Sequence, residues 1–181
     1  MTAIDETYAL ATRLVSQCDA ADIRIATAES CTGGLIAGAI TAVPGSSAVL
    51  DRGFVTYSND AKIDMLGVEA DDIGEHGAVS REVAVQMALG ALTHSSAHLT
   101  VAVTGIAGPG GGSAEKPVGL VHMALARRGE DEALIEAEAR LMLDGAFAEG
   151  GRGGVREATV RAALQALLDA VALGAGAPDA P

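Results

Sequence analysis

The stretch IRIATAESCTGG, residues 23–34, joins a short apolar run to a group of polar and small residues. The apolar run combines β-branched and small side chains, which predicts a β-strand that ends where the acidic and hydroxyl residues begin. The two glycines that close the stretch lead into LIAGAITAV, residues 35–43, which is apolar on all sides and predicts a helix packed under a sheet. A strand that turns directly into a buried helix is typical of an α/β fold.

Strand and helix patterns continue on both sides of this junction. The further predicted elements are a helix over 4–18, a strand over 48–57, helices over 59–66 and 81–92, strands over 99–105, 118–126 and 133–143, and a helix over 152–173. Ser58 and Ser80 are predicted N-caps, and Gly67 is a predicted C-terminal stop. This order predicts a three-layer α/β/α sandwich around a mixed, mostly parallel sheet.

Length and composition indicate one globular domain. With 181 residues, 49% of them hydrophobic, the chain is long enough to bury one core and too apolar to be disordered. We expect a single domain over residues 1–173. The last residues, GAGAPDAP at 174–181, are expected to form a flexible tail.

Net charge and cysteine content indicate which binding partners and which cellular compartment to expect. A net charge of −12 argues against nucleic acid as a partner, because neutralising phosphates requires clustered Lys and Arg. No apolar run is long enough to span a bilayer, and the acidic N-terminal residues lack the positive charge of an export signal. The two cysteines fit a reducing compartment. We therefore expect a soluble cytoplasmic protein with no membrane partner.

The polar part of the opening stretch holds two candidate nucleophiles, Ser30 and Cys31. Backbone N–H groups at the start of the following helix could stabilise an oxyanion beside either of them. Cys31 is intrinsically the more reactive, yet no histidine stands in a setting that marks it as a base, and small apolar cysteines are often simply buried. Ser30 or Thr32 could equally serve only as a helix cap. Glu29 could orient a neighbouring group or hold a helix terminus, and such a structural role is favoured over proton transfer.

A tyrosine and a lysine follow the second predicted strand. Tyr57 ends that strand, and Lys62 lies one helical turn beyond the Ser58 cap. A lysine whose pKa is lowered by burial can take the proton of a serine, and a tyrosine hydroxyl can relay that proton or hold the lysine. The alternative is a solvated Lys62 that pairs with Asp60 or Asp64.

A glycine-rich stretch, TGIAGPGGGSAEKPVG at residues 104–119, follows a predicted buried strand. Consecutive backbone N–H groups in such a loop can bind phosphate, although the stretch lacks the Gly-Lys-Ser/Thr of a P-loop. The alternative is a flexible turn. His94 and His98 have the spacing of a metal-binding pair, but no third ligand accompanies them, so no metal site is predicted.

The few basic residues concentrate near these stretches. Of the twelve Lys and Arg residues, Arg52, Lys62, Lys116, Arg152 and Arg156 fall within or beside them. A locally positive pocket in an acidic protein would suit a small phosphorylated substrate. Arg152, at the predicted start of the last helix, could clamp a phosphate with two parallel hydrogen bonds, or it could be a surface residue.

Together these stretches resemble the C-terminal domain of the competence/damage-inducible protein CinA, a family that includes stand-alone nicotinamide-nucleotide amidohydrolases. The resemblance is carried by TAESCTGG, GSSAVLDRGFVTYSNDAK, HGAVS, VTGIAGPGGGSAEKPVG and a weaker F…GGR…VR, in that order over roughly residues 5–170. It implies hydrolysis of the carboxamide of nicotinamide mononucleotide to nicotinate mononucleotide and ammonia, a step in pyridine nucleotide recycling. No metal or cofactor is implied.

The resemblance also implies roles for individual residues. Ser30 resembles the nucleophile, Lys62 the general base, and Tyr57 the partner of the Ser-Lys pair. The implied substrate-binding residues are Thr32, Gly33, Gly34, Thr104, Gly105, Ala107, Gly108 and Arg152. Backbone N–H groups around Gly33 and Gly34 are expected to hold the oxyanion.

One motif departs from the family pattern. The family often reads F-x-G-D/N-R, whereas here one residue is inserted after Phe147 and Gly151 stands in the acidic or amide position, which puts the role of Arg152 in doubt. Two other functions remain compatible with the sequence. They are a nucleotide-binding module that does not turn over its ligand, and an amidohydrolase of another small phosphorylated amide. The expected partner is a small molecule, and the apolar segments leave room for a homo-oligomer.

Overall fold

A five-stranded mixed sheet forms the centre of the fold. A computed structural model of the chain describes residues 3–128, 139–142 and 147–174. The strands are β1 (Ile25–Glu29), β2 (Leu50–Val55), β3 (Leu99–Gly105), β4 (Leu120–Arg127) and β5 (Ala139–Met142), in the order β2-β1-β3-β4-β5. β1 pairs in parallel with β2 and β3, whereas β4 pairs antiparallel with β3 and β5. The predicted mixed sheet is confirmed, with its parallel part at β2, β1 and β3.

Helices cover both faces of this sheet. Within the described residues they are α1 (Ala3–Ala20), α2 (Leu35–Thr41), α3 (Asn59–Leu66), α4 (Ala70–His76), α5 (Arg81–Thr93) and α6 (Phe147–Gly174). α1, α2 and α6 share one apolar cluster with the sheet, and α5 packs on the opposite face with α3 and α4 beside it. The predicted three-layer α/β/α sandwich is confirmed. None of the helices in the described ranges has the length and apolar content needed to cross a membrane.

The two faces of β3 differ in the size of their side chains. Leu99, Val101 and Val103 belong to the cluster shared with α1, α2 and α6, whereas Ala102 belongs to the cluster shared with α5. Thr100 faces α5 as well, and its hydroxyl donates a 2.8 Å hydrogen bond to a backbone carbonyl of that helix. Small side chains on this face allow α5 to lie close to the sheet.

α3 is held in a fixed position at both ends. A Cβ at Gly90 of α5 would lie 1.9 Å from the carbonyl oxygen of Leu66, so only glycine permits this close approach of the two helices. Ser58 caps the first turn of α3 through a 3.1 Å hydrogen bond, and Gly67, with φ of 68°, ends the helix, as the sequence predicted. This fixed helix carries Lys62.

Two short helical elements were not predicted from the sequence, and one predicted helix begins earlier than expected. α4 and a 3₁₀ turn at Ser46–Ala48 were not predicted; α4 has no buried residue that could produce an apolar pattern. α6 begins at Phe147 rather than at Arg152, with non-helical backbone at Gly151 (φ 50°, ψ −148°). This kink separates the first turn from the periodic part on which the prediction rested.

Parts of two predictions fall outside the described residues. The strand predicted over 133–143 is present as β5 at 139–142, and its remaining residues lie outside the described ranges. Residues 175–181 of the predicted tail also lie outside them, while Gly174 ends α6.

The connections around β1 create a crevice at one edge of the sheet. The chain leaves β1 for β2 on one side and then returns past β1 to β3 on the other side. In open α/β sheets, ligands bind outside the carboxyl ends of the strands where the strand order reverses in this way. The residues that follow β1, β2 and β3 are therefore the place to look for a site.

Candidate active site

The carboxyl ends of the three parallel strands bring the predicted site residues to one edge of the sheet. Ser30 directly follows β1, Tyr57 is the second residue after β2, and the glycine-rich loop follows β3. Val103 of β3 accepts a 3.0 Å hydrogen bond from the Ser30 N–H, and Glu29 accepts one of 2.8 Å from the Thr56 N–H. Backbone hydrogen bonds thus hold the segments after β1 and β2 in line with the sheet.

Ser30 and Lys62 are in direct contact. Lys62 Nζ donates a 3.1 Å hydrogen bond to Ser30 Oγ and one of 2.9 Å to the carbonyl oxygen of Thr56. The lysine side chain is only 2% exposed, and the serine is half-buried at the crevice. The alternative of a solvated lysine paired with a neighbouring aspartate is wrong for this fold.

Burial sets the protonation of Lys62. Removal from water lowers the pKa of the Lys62 ammonium, and the nearby Cys31 opposes this only in part. A lysine with lowered pKa is more often neutral at physiological pH, and a neutral amine can accept the proton of the serine hydroxyl. The geometry therefore provides a nucleophile with a base already in hydrogen-bonding contact.

Cys31 points into the core instead of the crevice. Its side chain is 5% exposed and belongs to the apolar cluster under α2. Burial raises the pKa of the Cys31 thiol to about 11, although the adjacent backbone N–H groups of Cys31 and Thr32 oppose the rise. A thiol in this setting stays protonated near neutral pH. The interpretation of Cys31 as a packing residue agrees with the structure.

The carboxylate of Glu29 caps α2 from inside the protein. Glu29 is 0% exposed, and its two oxygens accept four hydrogen bonds. The donors are the N–H groups of Gly34 (3.0 Å), Ile36 (3.0 Å) and Ala37 (2.9 Å) and the hydroxyl of Thr27 (3.2 Å). Glu29 thereby supplies hydrogen-bond acceptors to the free N–H groups at the start of α2. The sequence had left open that Ser30 or Thr32 would do so.

This cap changes the expected oxyanion site. Gly34 N–H donates to Glu29, and Gly33 N–H donates at 3.1 Å to the carbonyl oxygen of Ser30. The structure therefore does not support Gly33 and Gly34 as oxyanion donors. Cys31 and Thr32 carry the nearby N–H groups that donate to no oxygen acceptor in the described chain.

Tyr57 is turned away from the Ser-Lys pair. Its hydroxyl is hydrogen-bonded to Arg152 Nη2, and no hydrogen bond of the described chain joins it to Ser30 or Lys62. The ring is 59% exposed, and its Cε2 would lie 3.9 Å from a Cβ at Gly33. The ring therefore lies on the rim of the crevice, and the role of Tyr57 as a partner of the Ser-Lys pair stays a prediction.

Two arginines of α6 reach the crevice. Arg152 Nη1 donates to the Gly108 carbonyl at 2.9 Å, and Arg156 Nη2 donates to the Thr32 carbonyl at 2.9 Å. The sequence analysis placed Arg156 among the nearby basic residues but assigned it no role. The signal that was available is the spacing of four, which puts both side chains on one face of a helix.

The other basic residues of the expected pocket are used elsewhere. Arg52 forms a 2.6 Å ion pair with Asp51 at the start of β2. Lys116 Nζ donates to the carbonyl oxygens of His76 and Val79, which ties the glycine-rich loop to the segment before α5. The positive charge at the crevice thus comes from a smaller set of residues than the sequence suggested.

The predicted loop residues lie beyond β3. Thr104 is buried, and its hydroxyl donates to the Ala78 carbonyl at 2.7 Å, so it anchors the loop to the segment before α5. Gly105 ends β3, Ala107 is buried, and Gly108 offers its carbonyl to Arg152. Their contact with a substrate stays a prediction.

The histidine pair does not form a metal site on α5. The helix ends at Thr93, so His94 and His98 do not lie on one helical face, and His98 Nδ1 accepts a 3.0 Å hydrogen bond from the Arg24 N–H. Among the residues that the structure describes, no group of three or more His, Cys, Asp or Glu side chains is arranged to hold a metal ion.

The family model of the CinA C-terminal domain matches residues 7–171. The chain belongs to this family. Among solved structures, the competence/damage-inducible protein CihA from Agrobacterium tumefaciens is 52% identical to this CinA-family chain, with a TM-score of 0.81 over 92% of this chain and 96% of that one. A CinA superfamily protein from Escherichia coli is 33% identical, with a TM-score of 0.81 over 93% of this chain and 92% of that one.

Two relatives carry names that bear on function. The nicotinamide-nucleotide amidohydrolase PncC of Escherichia coli is 57% identical over 107 residues, which are 59% of this chain and 65% of that protein. A putative competence-damage inducible protein of Caldicellulosiruptor bescii is 48% identical over 145 residues, which are 80% of this chain and 33% of that protein. This CinA-family chain therefore matches about a third of the longer relative and less than two thirds of the Escherichia coli amidohydrolase.

Proposed function

We propose that this chain hydrolyses the carboxamide of nicotinamide mononucleotide to nicotinate mononucleotide and ammonia. The observation that carries the proposal is the 3.1 Å contact between buried Lys62 Nζ and Ser30 Oγ at the carboxyl end of β1. A serine with a neutral base in contact is equipped for nucleophilic attack on a carbonyl carbon. The name of the Escherichia coli relative, a nicotinamide-nucleotide amidohydrolase, supports the choice of amide.

The first half of the reaction transfers an acyl group to the serine. Unprotonated Lys62 takes the hydroxyl proton of Ser30 while the oxygen attacks the carboxamide carbon, which forms a tetrahedral oxyanion. The protonated lysine then gives its proton to the amide nitrogen. The C–N bond of the amide breaks, ammonia leaves, and the acyl group of nicotinate mononucleotide, with its ribosyl phosphate still attached, remains as an ester on Ser30 Oγ.

The second half releases the acid and restores the enzyme. Lys62 takes a proton from a water molecule, whose oxygen attacks the ester carbon. Collapse of the second tetrahedral intermediate breaks the bond to Ser30 Oγ, which regains its proton from Lys62. One water is consumed for each ammonia produced, and no oxidant or metal enters the balance.

The tetrahedral oxyanion needs hydrogen-bond donors that are not already used within the fold. The N–H groups of Cys31 and Thr32 directly follow the nucleophile and donate to no oxygen acceptor in the described chain. Their contact is with the Cys31 sulfur, a weaker acceptor than an oxyanion. An N–H of the residue after a nucleophilic serine is a common oxyanion donor in hydrolases with a strand-to-helix turn. These two groups take the role that the sequence analysis gave to the backbone of Gly33 and Gly34.

Ammonia release from nicotinamide mononucleotide tests the proposal. Ser30→Ala removes the attacking oxygen and should abolish turnover, whereas Cys31→Ala, which removes only a buried thiol, should retain most of it. The opposite pattern would assign the chemistry to Cys31. Tight binding of the mononucleotide by wild-type protein without any ammonia would instead favour a nucleotide-binding module.

A further inference from the structure

Two neighbouring guanidinium groups face the crevice from one side. Arg152 and Arg156 lie one turn apart on α6, and each donates to a backbone carbonyl of a loop at the strand ends. Neither forms an ion pair with a carboxylate among the described residues. In a chain with a net charge of −12, two neighbouring guanidinium groups that form no ion pair within the described ranges are an unusual concentration of positive charge.

Both arginines keep hydrogen-bond donors in reserve. Arg152 uses Nη1 and Nη2 on Gly108 and Tyr57, and Arg156 uses Nη2 on Thr32. The Nε of Arg156 is buried and has no hydrogen-bond partner in the described chain. A buried charged donor without a partner is costly. Arg161 Nη1, which lies away from the crevice, is in the same state. It is therefore the unpartnered donor of Arg156 together with its place at the crevice that points to an acceptor arriving with a ligand.

The space beside these donors is kept open by a glycine. A Cβ at Gly33 would lie 3.7 Å from Arg156 Nη2 and 3.9 Å from Tyr57 Cε2, so a side chain there would stand between the guanidinium and the aromatic ring. Gly33 also has φ of 62°, which disfavours residues with a side chain. Gly33 also donates its N–H to the Ser30 carbonyl, so the recess adjoins the turn that carries the nucleophile.

We propose that Arg156 acts with Arg152 to bind the phosphate of the substrate, and that this pair makes the enzyme select phosphorylated over unphosphorylated pyridine nucleosides. The inference rests on the proposed function, since it concerns the same crevice. Guanidinium groups bind phosphate oxygens through paired, charge-assisted hydrogen bonds, and two of them match a dianion in charge. The fixed carbonyl contacts hold both side chains in place before the ligand arrives.

A purely structural role for Arg156 predicts a different outcome. If the residue only held the Thr32 carbonyl, its loss would disturb the nucleophile turn and lower kcat equally for every substrate. If it binds phosphate, its loss raises KM for the phosphorylated substrate and leaves the unphosphorylated one unaffected. The ratio of the two kcat/KM values separates these roles.

The test compares nicotinamide mononucleotide with nicotinamide riboside in wild type, Arg156→Gln and Arg161→Gln. Arg161 lies on the same helix but faces α1 beside Glu6 and Arg13, which makes it a charge-matched control. We expect Arg156→Gln to reduce the preference for the mononucleotide by about tenfold to a hundredfold, the value of a hydrogen bond to a charged group. Arg161→Gln should keep the wild-type ratio.

A binding measurement keeps the inference testable if the protein hydrolyses neither compound. Inorganic phosphate should raise the melting temperature of wild type and Arg161→Gln but not of Arg156→Gln. An unchanged substrate ratio in Arg156→Gln, or no stabilisation of wild type by phosphate, would overturn the phosphate site. Phosphate binding that depends on Arg156 in a protein that releases no ammonia would instead refute the proposed function and retain the site.

Discussion

Lys62 is buried and holds the half-buried Ser30 at the base of the crevice, whereas the exposed Tyr57 and Arg152 meet at its rim. The first region, the chemical side, is held by backbone hydrogen bonds and by the buried carboxylate of Glu29. The second region, the recognition side, consists of long side chains that bind loop carbonyls. The base is thus buried beside the nucleophile, and the charged groups lie where a ligand would enter.

The difference between the two sides predicts which measured quantity each one controls. Preorganised groups stabilise a transition state without having to reorganise, so substitutions on the chemical side should lower kcat. Exposed arginines and a tyrosine ring contact the substrate in ground and transition state alike, so changes there should raise KM. The predictions below are ordered by the size of the expected effect.

Lys62→Met should cause the largest loss. The substitution keeps an unbranched apolar stem and removes Nζ, so kcat should fall by about two to four orders of magnitude, the range for loss of a general base. The free energy of unfolding should stay the same or rise, because a buried amine no longer has to be desolvated. Steady-state kinetics and urea denaturation measure both effects. Retention of wild-type kcat would remove Lys62 from the mechanism.

The pH dependence of kcat/KM should report the lowered pKa of Lys62. Below that pKa the neutral fraction, and hence kcat/KM, should fall about tenfold for each pH unit. Above it the profile should level off at a pH below the ordinary lysine value of 10.5. A profile that levels off only near 10.5 would contradict a desolvated base.

The free energy of unfolding should also depend on the titration of Lys62, and it should rise with pH. Between the lowered pKa and 10.5 the unfolded chain binds more protons at Lys62 than the folded protein does, so the free energy of unfolding rises with pH in that interval. Below the lowered pKa both states are protonated, and this contribution no longer changes with pH. Lys62→Met should lack the rise, which makes it the matched control.

Glu29→Gln should destabilise the chemical side without changing its volume. An amide NH₂ would face two of the four donors that the carboxylate now satisfies, so unfolding should require about 2–4 kcal/mol less. Thr27→Val, which removes only one of the four hydrogen bonds, should cost about 1 kcal/mol. Denaturant titrations give both values. Equal effects of the two substitutions would show that the carboxylate is not the cap of α2.

Tyr57→Phe should have the smallest effect and bears on the rim position of this ring. The substitution removes the hydroxyl that contacts Arg152 and keeps the ring, so KM should rise about twofold to tenfold while kcat stays close to wild type. A large fall in kcat at constant KM would indicate that Tyr57 acts as a proton relay beside Lys62.

The chemical side was largely predictable because local sequence determines it. Ser58 and Gly67 delimit α3 by their own chemistry, and the strand-to-helix junction fixes where Ser30 lies. Lys62 could be linked to Ser30 because both follow neighbouring strands of one sheet. The contact itself needed the tertiary packing of α3 against α5.

The recognition side was less predictable because its contacts join distant parts of the chain. Arg152 reaches Tyr57 and Gly108 through the position of α6, which no local pattern encodes. The N–H groups of Gly33 and Gly34, which were expected to face an oxyanion, have acceptors within the chain for a related reason. The carboxylate of Glu29 points back to the first turn of α2. The sequence alone does not determine this side-chain direction.

Mass spectrometry of acid-quenched enzyme during turnover of nicotinamide mononucleotide can detect the covalent intermediate itself. We expect the acyl group of nicotinate mononucleotide, including its ribosyl phosphate, on the peptide that contains residues 30 and 31. Fragmentation should locate it on Ser30, and it should be present in Cys31→Ala and absent in Ser30→Ala. An adduct on Cys31, or ammonia release with no covalent adduct under conditions where deacylation limits the rate, would contradict the proposed mechanism.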